Sequence, residues 1–159
     1  MPAFEHEGFS LYETGAITRY VDEAFPGPPL QPAEPMARAR MNQVIGIIDN
    51  YGYRPMVRTV FVERVMAPRR DEAPDEDRVA SALGKAATCL AVLEDLLGEK
   101  TFLTGEDISL ADLHAAPMFA YFLQTPEGRD LMAGCPGLER WWAEVAARTS
   151  MEKTRSFLG

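Results

Sequence analysis

The sequence lacks any apolar run long enough to cross a bilayer, and it contains few residues that bind metals or form disulfides. Its 159 residues include two cysteines and two histidines. Cys89 and Cys135 lie in separate segments without metal-like or redox spacing, and neither His6 nor His114 has a carboxylate at metal-ligand spacing. We therefore expect reduced cysteines, no metal, no membrane segment and a cytoplasmic location.

Positive charge is also scarce. Lys and Arg number 16 against 24 Asp and Glu, which gives a net charge of −8. This balance argues against nucleic acid or an anionic membrane surface as the main partner. Hydrophobic residues make up 47% of the chain and charged residues 25%, as in ordinary globular proteins. The length suffices for one good core, or for one domain and a fragment of another.

The most informative segment reads PAFEHEGFSLYETGAI and begins at Pro2. Apolar and polar residues alternate on both sides of Glu7-Gly8, a two-residue turn in which glycine supplies the positive φ that such turns need. This turn places His6 opposite Phe9 and predicts a β-hairpin from Ala3 to Glu13. One face of the hairpin then carries Phe4, His6, Phe9 and Leu11, and the other carries Ala3, Glu5, Ser10 and Tyr12.

A helical period follows the hairpin from Ala16 onward, with Thr14 placed as its cap and Glu13 just before it. The free N–H groups of a helix start and the Thr14 hydroxyl can hold an α-carboxylate, and the Glu13 carboxylate can hold an α-ammonium. An ordinary capped helix start has the same residues. Local chemistry alone leaves both interpretations open.

Taken in order, the residues from Pro2 to Ile17 resemble the glutathione transferase family, in the second half of its thioredoxin-like domain. The resemblance implies that Glu13 and Thr14 bind the γ-glutamyl end of glutathione. It also implies that Met1, the residue before a cis-proline at Pro2, holds the cysteinyl part. In the family, a preceding strand-helix-strand unit carries the residue that activates the thiol. We therefore interpret the chain as N-terminally truncated, with no catalytic residue of its own.

Prolines divide the chain. Five of the 12 prolines lie within residues 26–35, a composition that predicts a semi-rigid linker. We expect a partial thioredoxin-like domain over residues 1–25 and an all-α domain over residues 36–159. The predicted fold is therefore mainly α, with a β-hairpin and helix followed by the helical C-terminal domain of the glutathione transferase family.

Signals for the beginning and end of helices occur along the C-terminal part. A long apolar periodicity starts at Met36, and Pro55 should kink or break that helix near Tyr53-Arg54. Asp75 is predicted to cap the next helix and Gly98 to end it.

The strongest local signal after the hairpin is a capping box, Ser109 with Asp112, which Ile108 and Leu113 flank as a hydrophobic staple. The helix that follows is apolar on nearly every face, so we expect it to be buried at the centre of the domain. The run from Phe102 to Asp112 again resembles the glutathione transferase family, in its C-terminal domain. The role implied is folding, and alanine at Ser109 or Asp112 should cost roughly 1 kcal/mol each.

Two further groups of residues have alternative interpretations. Arg54 and Arg58 lie one turn apart near the expected kink, where they face either a ligand cleft or solvent. Tyr51, Tyr53 and Met56 line either an apolar substrate pocket, the core or a dimer contact.

The resemblance implies a homodimeric transferase in which the glutathione thiolate attacks a small electrophile. The family pairs the N-terminal domain of one subunit with the helices of the other. Two other interpretations are also consistent with the sequence. One is a non-catalytic binding or assembly module with this fold, and the other is a truncated protein without a function of its own.

Overall fold

The computed structural model describes residues 3–154, which are mostly helical with one two-stranded antiparallel sheet. The regular strands and α-helices of this part are β1 (Ala3–His6), β2 (Phe9–Tyr12), α1 (Thr14–Ala24), α2 (Pro35–Ile47), α3 (Glu76–Leu97), α4 (Leu110–Phe122), α5 (Pro126–Met132), α6 (Pro136–Ala146) and α7 (Thr149–Lys153). Two π-helical segments, Ile48–Gly52 and Arg54–Met66, continue α2. None of the helices in the described range is long and apolar enough to cross a membrane.

The hairpin has the predicted register, in which His6 pairs with Phe9 and Phe4 with Leu11. Its turn residues Glu7 and Gly8 both have positive φ, 52° and 81°, as a tight turn matching the strand twist requires. The predicted apolar face packs on α1, where the Tyr20 ring contacts Phe4, His6 and Phe9. The opposite face is exposed, which confirms the assignment of the two faces.

The long helix after the linker changes its hydrogen-bond pattern in the region of Pro55, where we predicted a kink or a break. The chain does not break there, because Tyr53 keeps helical φ and ψ of −57° and −47°. Instead the hydrogen bonds widen to a five-residue span, from Tyr53 N to Ile48 O before Pro55 and from Ala67 N to Val62 O, 2.8 Å, at the end of the segment. Pro35, which we predicted as the last linker residue, begins α2.

The predicted boundaries of α3 are confirmed. The Asp75 carboxylate accepts a hydrogen bond from Arg78 N at 3.0 Å, as an N-cap does. Gly98 follows the last helical residue with a φ of 55°, a conformation that glycine adopts without strain.

Helix α4 lies at the centre of the helical part, packed against α2, the second π-helical segment and α6. Its Ala111, Ala115 and Phe122 are completely buried, so its apolar composition has the predicted structural role. Of the two tryptophans, Trp141 is buried and Trp142 is half-buried, as their adjacent positions on α6 imply.

A capping box begins α4, and its acid also makes tertiary contacts. The Ser109 side chain accepts from Ala111 N, and Asp112 Oδ2 accepts from Ser109 N at 2.8 Å. The other oxygen, Asp112 Oδ1, accepts from Leu103 N and from Trp141 Nε1, both at 2.8 Å. One buried carboxylate therefore joins the preceding loop, α4 and α6. Ile108 and Leu113 are both half-buried, and the staple between them stays a prediction.

Replacing Asp112 with alanine should lower the free energy of unfolding by roughly 3 kcal/mol or more, because three N–H groups lose a shared buried acceptor. This is more than the value expected from the capping box alone. Replacing Ser109 with alanine should cost only about 1–2 kcal/mol. Urea unfolding, monitored by tryptophan fluorescence, measures both losses, and equal losses in the two variants would contradict the network.

Candidate functional site

The start of α1 holds the two residues predicted to bind a ligand. Thr14 is the first residue of the helix, and the N-cap position belongs to Glu13, whose side chain makes no capping hydrogen bond. The prediction that Thr14 caps this helix is therefore wrong by one residue. The Glu13 carbonyl accepts from Ala16 N and Ile17 N at 3.0 Å, as the first acceptor of the helix. Both Glu13 and Thr14 are exposed.

Backbone N–H groups of the first turn of α1 lie beside these side chains. The N–H groups of Thr14 and Gly15 have no acceptor within the described part of the chain. First-turn N–H groups point along the helix axis and carry the positive end of the helix dipole, which suits an anionic ligand group. The Glu13 carboxylate next to them suits a cationic group. A zwitterion with adjacent carboxylate and ammonium groups matches this arrangement.

Glu13 has an unusual backbone conformation, with φ of 73° and ψ of 120°. A non-glycine residue at positive φ costs of the order of 1–3 kcal/mol, and such residues concentrate at functional sites. This conformation turns the chain sharply from β2 into α1. It therefore sets the direction in which the Glu13 side chain leaves the backbone.

Met1 and Pro2, the other two predicted glutathione contacts, lie outside the described residues. Their assigned roles stay predictions.

Both histidines have hydrogen-bond partners. His6 Nδ1 shares a hydrogen bond of 2.8 Å with Tyr20 Oη, and His114 Nε2 lies 2.6 Å from Asp49 Oδ1. Within residues 3–154 no three His, Cys, Asp or Glu side chains form a group that could hold a metal ion.

A family model described as the C-terminal domain of glutathione S-transferase matches residues 61–144. The chain belongs to the glutathione S-transferase family. Similar relatives include glutathione S-transferase F14 of Arabidopsis thaliana, 32% identical over 158 residues, and F6 of the same plant, 31% identical over 157 residues. The alignments cover 97% and 96% of this chain, respectively.

The solved structure of glutathione S-transferase III in apo form matches with a TM-score of 0.88 at 27% identity, over 99% of this chain and 73% of that one. These matches confirm the predicted fold class, a thioredoxin-like fragment followed by an all-helical domain. The chain spans 62% of the length of F14 and 73% of F6.

A second concave surface, which we call the interhelical cleft, lies between residues 47–59 and α3. Its volume is about 780 Å³, and Arg54, Arg78 and Lys85 line it together with Tyr51 and Cys89. Of the residues with open interpretations, Arg54 and Tyr51 face this cleft. The other three residues do not line it. Met56 is buried in the core, and Tyr53 and Arg58 are exposed to solvent.

The sequence analysis missed the cations that α3 contributes to this cleft. Arg78 and Lys85 are seven residues apart, with Ser81, Ala82 and Cys89 at the intervening and following turns. This three- and four-residue spacing is a signal for one helix face.

The two thiols should differ in reactivity. Burial raises the pKa of Cys89 to about 11, and burial together with the nearby Glu94 and Glu139 carboxylates raises that of the half-buried Cys135. Since the thiolate is the nucleophile, Cys89 should remain unmodified by iodoacetamide at pH 8 while Cys135 reacts slowly. Peptide mass mapping over time measures this order, and earlier modification of Cys89 would show that the cleft is more open than described.

Proposed function

We propose that this chain binds glutathione at the start of α1 and belongs to a protein that joins the glutathione thiol to a small electrophile. The observation that carries the proposal is an exposed, strained Glu13 beside helix N–H groups that have no acceptor among residues 3–154. In this assignment the N–H groups of Thr14 and Gly15 and the Thr14 hydroxyl donate to the γ-glutamyl carboxylate. The Glu13 carboxylate accepts from the γ-glutamyl ammonium.

The reaction that we propose for the whole protein is a nucleophilic attack by the glutathione thiolate. A C–S bond forms on the electrophile, and a leaving group departs with the electron pair or, in an addition, the adduct takes up a proton. The residues of this chain would hold the peptide in place for that attack. The residue that lowers the thiol pKa is not assigned to this chain.

Replacing Glu13 with alanine should weaken glutathione binding at least tenfold, since the ligand's ammonium loses its charged partner. Thr14→Ala should weaken it by a factor of about five, because a single hydroxyl donor is lost. Calorimetric titration of this chain with glutathione measures both effects.

Glu23→Ala is the matched control, because Glu23 is an exposed carboxylate at the other end of the same helix. Its affinity should equal that of the unmodified chain. If the unmodified chain binds glutathione and both site variants bind it equally well, the site assignment is wrong. If the folded chain does not bind glutathione, the non-catalytic module becomes the better interpretation.

We also propose a homodimer that pairs the hairpin and α1 of one subunit with the interhelical cleft of the other. Exposed large apolar residues support this, because most of them lie on these two surfaces: Phe9, Tyr12, Val21 and Phe25 on the first, and Tyr51, Tyr53 and Val92 at or beside the second. Charge also supports it, since Arg54 and Lys85 line the cleft, together with Arg78, which pairs with Glu63 at 2.8 Å. Residues 3–25 carry five carboxylates and one arginine.

A Val92→Asp substitution should convert this dimer to a monomer, because it places an uncompensated carboxylate in an apolar contact. Light scattering coupled to size-exclusion chromatography measures the mass. Ala147→Asp, an equivalent change at an exposed site on a different face, should leave the dimer intact. A monomeric unmodified chain at micromolar concentration, or a dimeric Val92→Asp variant, contradicts this interface.

Both described cysteines are free thiols, which is consistent with the reducing cytoplasm that we propose as the location of the protein.

A further inference from the structure

The carboxylate of Asp22 lies near the C-terminal end of α1. It binds the backbone of residues 25–34, which join α1 to α2 and which we call the connecting segment. Asp22 Oδ1 accepts from Leu30 N at 2.7 Å, and Asp22 Oδ2 accepts from Gln31 N at 3.1 Å. The Gln31 side chain donates to the same Oδ2 at 3.1 Å. A carboxylate near a helix C-terminus opposes the helix dipole, so the helix alone does not account for this residue. The hydrogen bonds from the connecting segment to Asp22 account for a carboxylate at this position.

The same connecting residue is bound on its other side by the helical domain. Leu30 O accepts from Leu110 N, the first residue of α4, at 3.0 Å. The Leu30 side chain packs against the main core. The backbone of one residue therefore joins α1, through its N–H, to the capped start of α4, through its carbonyl.

Helix α1 needs such attachments. It has only 11 residues, and none of them is buried. A short helix without a buried face is marginal in water. A further polar attachment is Arg19, whose Nη2 donates to Asn42 Oδ1 on α2 at 2.6 Å. Its Nη1 donates at 2.6 Å to the carbonyl of Gly15, in the first turn of α1.

We propose that Asp22 is a positioning residue for the ligand site at the start of α1. It does not touch the ligand, from which it is separated by two helical turns. Its carboxylate holds α1 in the folded state against the connecting segment and α4, so that the Glu13–Thr14 turn is formed before glutathione arrives. This inference rests on the proposed function. If Asp22 no longer bound the connecting segment, the competent state would be less populated and the apparent affinity would fall by the same fraction.

An Asp22→Asn substitution tests the inference with little change in shape. Each carboxylate oxygen serves a different backbone donor, so an asparagine must turn its own NH₂ group toward one of them. Glu23→Gln is the matched control. Among residues 3–154, Glu23 Oε1 accepts only from Gln31 Nε2, at 3.1 Å, and an amide oxygen can replace it.

Two measurements decide the outcome: amide hydrogen exchange by NMR and calorimetric titration with glutathione. In Asp22→Asn, the amides of Leu30, Gln31 and Leu110 should exchange about tenfold faster or more, since a charge-assisted bond is lost. The Ala16 and Ile17 amides of the first turn should exchange several-fold faster, and the Kd for glutathione should rise about fivefold. Glu23→Gln should change each quantity less than twofold.

The inference is overturned if Leu30 and Gln31 exchange faster in Asp22→Asn while Ala16, Ile17 and the affinity are unchanged. Asp22 would then hold only the connecting segment. If the unmodified chain does not bind glutathione, the proposed function fails and the first-turn exchange alone decides the role of Asp22. Should Asp22→Asn not fold, as judged by circular dichroism, the same criteria apply to Asp22→Glu, which keeps both acceptor oxygens one methylene farther from the backbone.

Discussion

The helical part of this protein depends on one buried carboxylate. Asp112 is completely buried and accepts hydrogen bonds from Leu103 N, Ser109 N, Ser109 Oγ and Trp141 Nε1. These donors belong to a loop, a helix cap and a distant helix, so one side chain fixes the central helix against its surroundings. A buried charge is tolerated only when its lone pairs are satisfied in this way. The network therefore specifies where α4 begins and how α6 docks on it.

The proposed ligand site lies on the part of the structure that has the least buried surface. The hairpin and α1 contain no fully buried large side chain. Polar contacts with the connecting segment and with α2 hold α1 in place. The strain at Glu13 is kept at the junction of these two elements. Ligand-binding elements are often the less stable parts of a structure, so an attachment such as the one that Asp22 makes affects how fully the binding-competent state is populated. The proposed partner subunit would cover the same element from the other side.

Much of this arrangement could be predicted from the sequence, namely those parts in which a short local pattern determines the structure. Glycine at position 8 and the alternation around it set the hairpin register, and the serine–acid spacing identified the start of α4. The bond from Asp112 to Trp141 could not be predicted, because no local pattern reports a contact between residues 29 positions apart. The cap of α1 was misplaced because glutamate rarely adopts positive φ. The binding of Leu30 and Gln31 by Asp22 depends on how an irregular proline-rich segment folds back, which no periodicity describes.

An NMR titration of the ¹⁵N-labelled chain with glutathione tests directly whether the ligand binds at the start of α1. We expect the largest shifts at the amides of Thr14 and Gly15, which have no acceptor among residues 3–154, with small shifts at Leu110 and none in α6. Saturating shifts centred on the interhelical cleft, for example at Arg54 and Lys85, would contradict the account. So would an unchanged spectrum at millimolar glutathione.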